Sequence, residues 1–218
     1  MSDVWSGRAE AYRTSTTHMR GDDLEALVGM CEPAEGMRAL DVATGGGHVA
    51  RRLREEGCEV VTVDSSPGMQ PDVISRAEHL PFADGSFDVV VCRIAAHHFA
   101  DVGRAVEEMA RVSNRLLAIE DTLFLSEQQE EAERLRDPSH VRSYSEDEWK
   151  ELLVAAGVEV EQVEFFEKIH PLADWLARTG CEGADAARAT ELLRPQMVDG
   201  GSAWRDTKIL LKGRKSQS

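Results

Sequence analysis

The chain has 218 residues, a formal net charge of −15, and 42% hydrophobic against 30% charged residues. That mixture fits one globular domain and argues against a disordered chain. So acidic a surface repels phosphate backbones, which sets nucleic acid aside as a substrate. No apolar run approaches the length of a membrane span, and residues 1–20 lack the charged-then-apolar pattern of a secretion signal, so a cytoplasmic setting without a membrane partner is expected. Cys31, Cys58, Cys92 and Cys181 form no C-x-x-C pair and match no zinc spacing, so free thiols and no metal are expected.

Residues 1–20 have mixed polarity, with Trp5 and Tyr12, and are expected to pack over the fold without a core of their own. A helix is predicted at 22–31, with Leu24, Leu27 and Val28 on one face and Asp22 and Asp23 at the start, where the dipole favours acids. An alternation follows. Residues 37–42 read as a buried strand, 46–56 as a helix closed by Gly57, 59–63 as a second strand and 72–75 as a short third. The turn Asp84-Gly85 leads into a strongly apolar fourth strand at 87–92, with Cys92 in the core. A helix at 102–112 and a fifth strand at 115–120 come next. Helices are predicted at 127–135 and 146–156, the latter opened by a capping box of Ser145 and Glu148. A sixth strand at 158–166, helical stretches at 172–178 and 184–193, and a seventh strand at 204–212 ended by Gly213 complete the chain. Arg51-Arg52 and Glu130-Glu131 read as solvated helix faces, and Trp175 and Trp204 as packing residues.

Strands alternating with helices imply a doubly wound α/β domain around a mostly parallel sheet of seven strands. Ligands bind such sheets beyond the carboxyl ends of the strands, so the ends of the first five are the places to look. The first strand runs into Asp41-Val42-Ala43-Thr44-Gly45-Gly46-Gly47. Glycines opening a helix let the backbone turn tightly and approach a ligand, with free N–H groups at the helix start. Gly45, Gly47 and Ala50 also satisfy the G-x-G-x-x-A dinucleotide fingerprint. Asp41 before the turn suits a cationic ligand group better than a pyrophosphate, although it would equally serve to cap the turn. Asp64, at the end of the second strand, is placed to accept both hydroxyls of a ribose.

The segments "LDVATGGGHVA", "VTVDSSPGM", "AEHLPFADGSFDVVVCRIAAHHF" and "AYRTSTTHMRGDDL" resemble class I methyltransferases that use S-adenosylmethionine. The nearest branch acts on small molecules and includes ubiquinone- and menaquinone-biosynthesis enzymes. The phrase "RLRDPSHVRSYSEDEW" resembles a subgroup of that branch. The resemblance implies a Rossmann-like methyltransferase fold with an antiparallel last strand and one domain over 1–218. Within it, 1–35 would form a lid, and 121–145 and 167–203 would be insertions shaping the acceptor site. It implies that Asp41, Thr44, Gly45 and Gly47 hold the methionine end of the cofactor and that Asp64 takes the ribose. Ser65 and Met69 would flank ribose and adenine, Ala77 and Glu78 would edge the adenine, and Arg93 to Ala95 would lie along the methionine chain. Tyr12 and His18 would help to close the site. The chain departs from the family pattern at Ala43, where a glycine is usual, in the stretch 65–71, where a helix is usual, and at Ser113-Asn114, where a glycine-rich turn is usual.

His97 and His98 follow the fourth strand where an acceptor would lie, and imidazole can serve as a base at neutral pH. The alternative is that one caps the next helix and the other packs. His140 is a more distant candidate. Trp5, Tyr12, Phe124, Leu125, Phe165 and Trp175 are the supply for an apolar acceptor pocket. Methyl transfer to a small molecule is therefore the leading expectation. A protein that binds S-adenosylmethionine or its product without transferring methyl is the second reading, and a nicotinamide-dependent oxidoreductase the third.

Overall fold

The computed structural model describes Gly7 and residues 21–216. Eight strands form one sheet: β1 (Arg38–Val42), β2 (Glu59–Asp64), β3 (Val73–Ile74), β4 (Phe87–Arg93), β5 (Ser113–Thr122), β6 (Val158–Pro171), β7 (Met197–Val198) and β8 (Ala203–Lys215). Seven helices accompany them among the described residues: α1 (Asp22–Met30), α2 (His48–Glu55), α3 (Val102–Val112), α4 (Glu127–Arg136), α5 (Glu146–Ala155), α6 (Leu172–Ala177) and α7 (Gly183–Leu192). The sheet order is β3-β2-β1-β4-β5-β8-β6, with β7 paired to β8 off this path. Strands β1 to β5 pair in parallel, and β8 runs antiparallel between β5 and β6. The expected doubly wound sheet with an antiparallel last strand is what forms. The strand absent from the expectation is β7, which has only two residues.

Central strands buried on both faces explain the continuous apolar runs. Leu40, Val42, Val90 and Cys92 point to one face and pack with Val106 and Met109 of α3 and Trp149 of α5. Ala39, Val89 and Val91 point to the other and pack with Leu24 and Leu27 of α1 and Val49 and Leu53 of α2. A smaller third core joins Trp175 and Trp204 to Ala132 of α4 and to Ala189 and Leu192 of α7. The capping box at Ser145 and Glu148 is present at the start of α5. All four cysteines are free thiols. No helix of the described residues is long and apolar enough to cross a membrane.

The structure corrects several local expectations. Gly213 does not end the last strand, because β8 continues to Lys215. It is a glycine because a Cβ there would stand 2.4 Å from Cγ1 of Val158 and 3.2 Å from the carbonyl oxygen of Glu159 on β6. Glu130 is not on a solvated face. It is buried, accepting hydrogen bonds from His140 Nε2 at 3.0 Å and from the backbone N–H of Ser143 at 3.2 Å. Asp23 is likewise buried rather than merely placed for the helix dipole.

Candidate functional site

The order β2-β1-β4 sets the carboxyl ends of three parallel strands side by side, with Val42 in register with Val63 on one side and Cys92 on the other. Asp64, the turn after β1 and the residues after β4 therefore share one edge of the sheet. In the turn, Gly45 and Gly47 take φ of 49° and 72°, and Gly47 is the N-cap of α2. A Cβ on Gly47 would meet no atom within 4 Å, so the backbone there borders open space. Ala43 also has positive φ, 55°, a conformation that the usual glycine adopts without strain.

Asp41 is buried beneath this turn and holds it. Its Oδ2 accepts from Thr44 Oγ1 at 2.6 Å and from the backbone N–H of Ala50, in the first turn of α2, at 3.2 Å. Burial raises its pKa to about 6 against the pull of those two hydrogen bonds, and the charge of Asp64 adds to the rise. Asp64 closes the turn from the other side, with Oδ2 accepting from Gly45 N–H at 3.0 Å and Oδ1 from Ser66 N–H at 2.9 Å.

After Asp64, Ser65 is exposed and Met69 is buried in the 3₁₀ turn Pro67–Met69, which stands in place of the usual helix. Ala77 is buried with the core beneath β4, while the carboxylate of Glu78 is engaged by Arg76 at 2.9 Å and by the backbone N–H of Ala100 at 3.1 Å. Arg93 ends β4 and turns into a buried ion cluster, donating to Glu120 and Asp23, each at 2.6 Å. Lys168 of β6 reaches the same Asp23 oxygen. Burial holds the Glu120 carboxyl at about 7 despite Arg93, with Asp23 reinforcing the rise. Burial would also lift Asp23, but its hydrogen bond with Glu120 and the charges of Lys168 and Arg93 bring it to about 2. Next, Ile94 takes φ of 50°, an outlier for a β-branched residue and the kind of strain that collects at functional sites. Ala95 then leads into the 3₁₀ turn Ala96–His98. Tyr12, His18 and Trp5 lie outside the described residues.

The structure separates the two histidines. His97 Nδ1 donates to Asp121 Oδ1, and the other oxygen of that carboxylate accepts the backbone N–H of His97 at 2.9 Å. Burial would raise Asp121, but the charge and hydrogen bond of His97 hold it below the usual carboxylate range. With Nδ1–H turned to this carboxylate, Nε2 is the nitrogen that carries the lone pair whenever the ring is neutral. His98 is tied to Ser139, its Nδ1 standing 3.1 Å from the carbonyl oxygen, and burial followed by the charge of His97 pushes its pKa well down. Neither histidine caps α3, a place taken by Asp101. His140 stacks 5.3 Å from His97, centroid to centroid, while its ring is held by Glu130.

His97 lines a cavity of about 40 Å³ beyond the ends of β4 and β5, walled also by Arg136 of α4, Lys168 and His170 of β6, and Asp206 and Lys208 of β8. The wall of this cavity is polar. Of the aromatic and aliphatic candidates among the described residues only Trp175 reaches it, while Leu125 and Phe165 are exposed to solvent. The outward turn follows from the edge position of β6, which pairs with β8 alone. Sequence reasoning missed Asp121, Arg136, His170 and the Asp206–Lys208 pair. An acid at the carboxyl end of the fifth strand was the one available signal, for Asp121.

This sheet order, the glycine turn between β1 and α2 and the acid ending β2 define a methyltransferase of class I, and the chain belongs to that S-adenosylmethionine-dependent family. A methyltransferase domain family matches residues 40–115. The uncharacterized methyltransferase YcgJ of Bacillus subtilis is 33% identical over 198 residues, which covers 81% of this chain and 78% of that protein. The crystal structure of YcgJ superposes with a TM-score of 0.81 at 27% identity, covering 89% of this chain and 98% of that one. The demethylmenaquinone methyltransferase of Beutenbergia cavernae is 38% identical over 88 residues, 36% of this chain and 37% of that enzyme.

Proposed function

We propose that this methyltransferase transfers the methyl group of S-adenosylmethionine to a small-molecule acceptor that meets it beside His97. The observation that carries the reading is the convergence, on one sheet edge, of the Asp64-braced glycine turn and the Asp121–His97 pair. The residues fit the cofactor. Gly45 and Gly47 hold positive φ, the backbone at Gly47 borders open space, and Asp64 ends β2 beside that turn, where a carboxylate can take ribose hydroxyls. In this reading Ser65, Met69, Ala77 and Glu78 flank the nucleoside, and Arg93 to Ala95 flank the methionine chain. Asp41 acts through the turn it holds. When bound, S-adenosylmethionine supplies an electrophilic methyl group on a sulfonium.

The chain's own residues then orient the acceptor and take its proton. Alignment of nucleophile and methyl group supplies most of the acceleration. His97 accepts the acceptor's proton at Nε2, while Asp121 fixes the tautomer and stabilises the resulting imidazolium. The free thiols and the lack of a membrane-spanning helix among the described residues support a cytoplasmic setting.

Calorimetric titration with S-adenosylmethionine, its demethylated product and NAD in parallel tests the cofactor assignment. The first two should bind and NAD should not. Asp64→Ala, folded by circular dichroism, should bind S-adenosylmethionine roughly tenfold to a hundredfold more weakly. Binding of NAD alone, or an unchanged affinity in the folded variant, would overturn the assignment.

A further inference from the structure

We infer that the acceptor carries an oxyanion, a carboxylate or phosphate group, and that Arg136 is the residue that grips it. The inference rests on the proposed acceptor site and adds the chemical class of what enters it.

The guanidinium of Arg136 is the feature to be explained. The side chain is only 9% exposed, yet it makes no hydrogen bond among the described residues, and its Nε–H is buried without a partner. Glu133 and Asp137 each stand 3.7 Å away, close enough to offset charge but too far to accept. The large majority of buried polar side-chain atoms in folded proteins are satisfied, by protein, water or ligand, and of the buried atoms left without a partner among the described residues the Arg136 Nε is the one that belongs to a cation. A guanidinium presents its donors as a rigid planar fork that matches a carboxylate or phosphate. Trp175 lies beneath it, with the guanidinium carbon 4.8 Å from the ring centroid, so the plane of the fork is fixed before any ligand arrives.

The rest of the wall agrees. Although the chain carries a net charge of −15, Arg136, Lys168, Arg178 and Lys208 face this cavity against the carboxylates of Glu133 and Asp206. Lys208 is held by Thr122 at 2.6 Å and Asp206 at 2.7 Å. His170 stands 3.2 Å from Asp206 through Nε2, and its Nδ1 is buried without a partner. The volume of about 40 Å³ has room for about three waters by the usual allowance per water. His97 lines the same cavity, so an acceptor held by its anion at Arg136 presents its remaining atoms toward the base.

The test uses the full chain and three probes: benzoate, its neutral isostere benzamide, and inorganic phosphate. Binding is read from the Nε–H resonances of arginine in ¹⁵N spectra and from calorimetry. Benzoate or phosphate should shift the Arg136 Nε–H signal saturably and bind roughly tenfold or more tightly than benzamide, and phosphate against benzoate ranks the two oxyanions. Arg136→Met, which keeps the packing on Trp175, should reduce anion binding to the level of benzamide, and Arg136→Lys should recover it only in part. Equal binding of benzoate and benzamide in the wild-type protein, or anion binding unchanged in Arg136→Met, would overturn the proposal. S-adenosylmethionine affinity is measured on the same samples. Its loss with anion binding intact would count against the cofactor reading and leave this one standing, while the reverse pattern would sink this one alone.

Discussion

Two adjacent histidines line one cavity but are held by different partners. Asp121 fixes His97 with the proton on Nδ1, and His98 spends its own Nδ1 on Ser139. Ring ¹⁵N shifts should therefore show His97 as the Nδ1–H tautomer, and Asp121→Asn should move the proton to Nε2. With any acceptor that turns over, the same variant should lower kcat about a hundredfold or more while leaving S-adenosylmethionine affinity in place. His98→Ala should also leave cofactor affinity in place. An Nε2–H tautomer in the wild-type protein would remove His97 from the role of base. Both histidines were visible in the sequence as polar residues after an apolar strand, but nothing in their spacing ranked them. The ranking comes from Asp121, which lies 24 residues away in the chain and one strand over in the sheet.

At the scale of elements, the parallel half was readable nearly to the residue, because strands buried on both faces are unbroken apolar runs between glycine turns. The antiparallel half was less so. β6 was expected to stop at 166 and runs to Pro171, and its outer part alternates exposed and half-buried residues with little apolar signal. Its order comes from β8, whose register against it spans Val158↔Lys215 to Pro171↔Ala203. At Gly213 the pairing leaves no room for a Cβ, which would meet Val158. Gly213→Ala should destabilise the protein by about 1–3 kcal/mol, as overpacking does. Urea midpoints would measure this, and shortening Val158 to Ala in the same chain should recover part of the loss. An additive double variant would mean that Val158 is not what the glycine accommodates. The cavity beside His97 was not legible for a related reason: its wall is drawn from the turn after β4 and from β5, α4, β6, α6 and β8, which no motif links in sequence.

Across the whole molecule, four buried charges from α1, β4, β5 and β6 tie the glycine-turn half to the cavity half: Asp23, Arg93, Glu120 and Lys168. Their effect on stability has a sign. The Glu120 carboxyl stands at about 7 in the fold against an ordinary 4.5, so the folded state holds a proton that the unfolded chain releases between those values. Stability is therefore fullest below the ordinary value and declines as pH rises toward 7, by on the order of 1–3 kcal/mol. Asp23, at about 2, works the other way, and its contribution is lost only as pH falls toward 2. Glu120→Gln mimics the protonated form and should flatten the decline in denaturant midpoint between pH 5 and pH 8. An unaltered slope would place the effect elsewhere. The position of β8 has a consequence for synthesis on the ribosome. Since β6 has no strand neighbour except β8 among the described residues, residues 158–171 emerge with both edges unpaired until 203–215 have followed. The nascent chain can thus complete the half bearing the glycine turn first, and must keep a long unpaired strand from other chains until the half bearing the cavity closes over it.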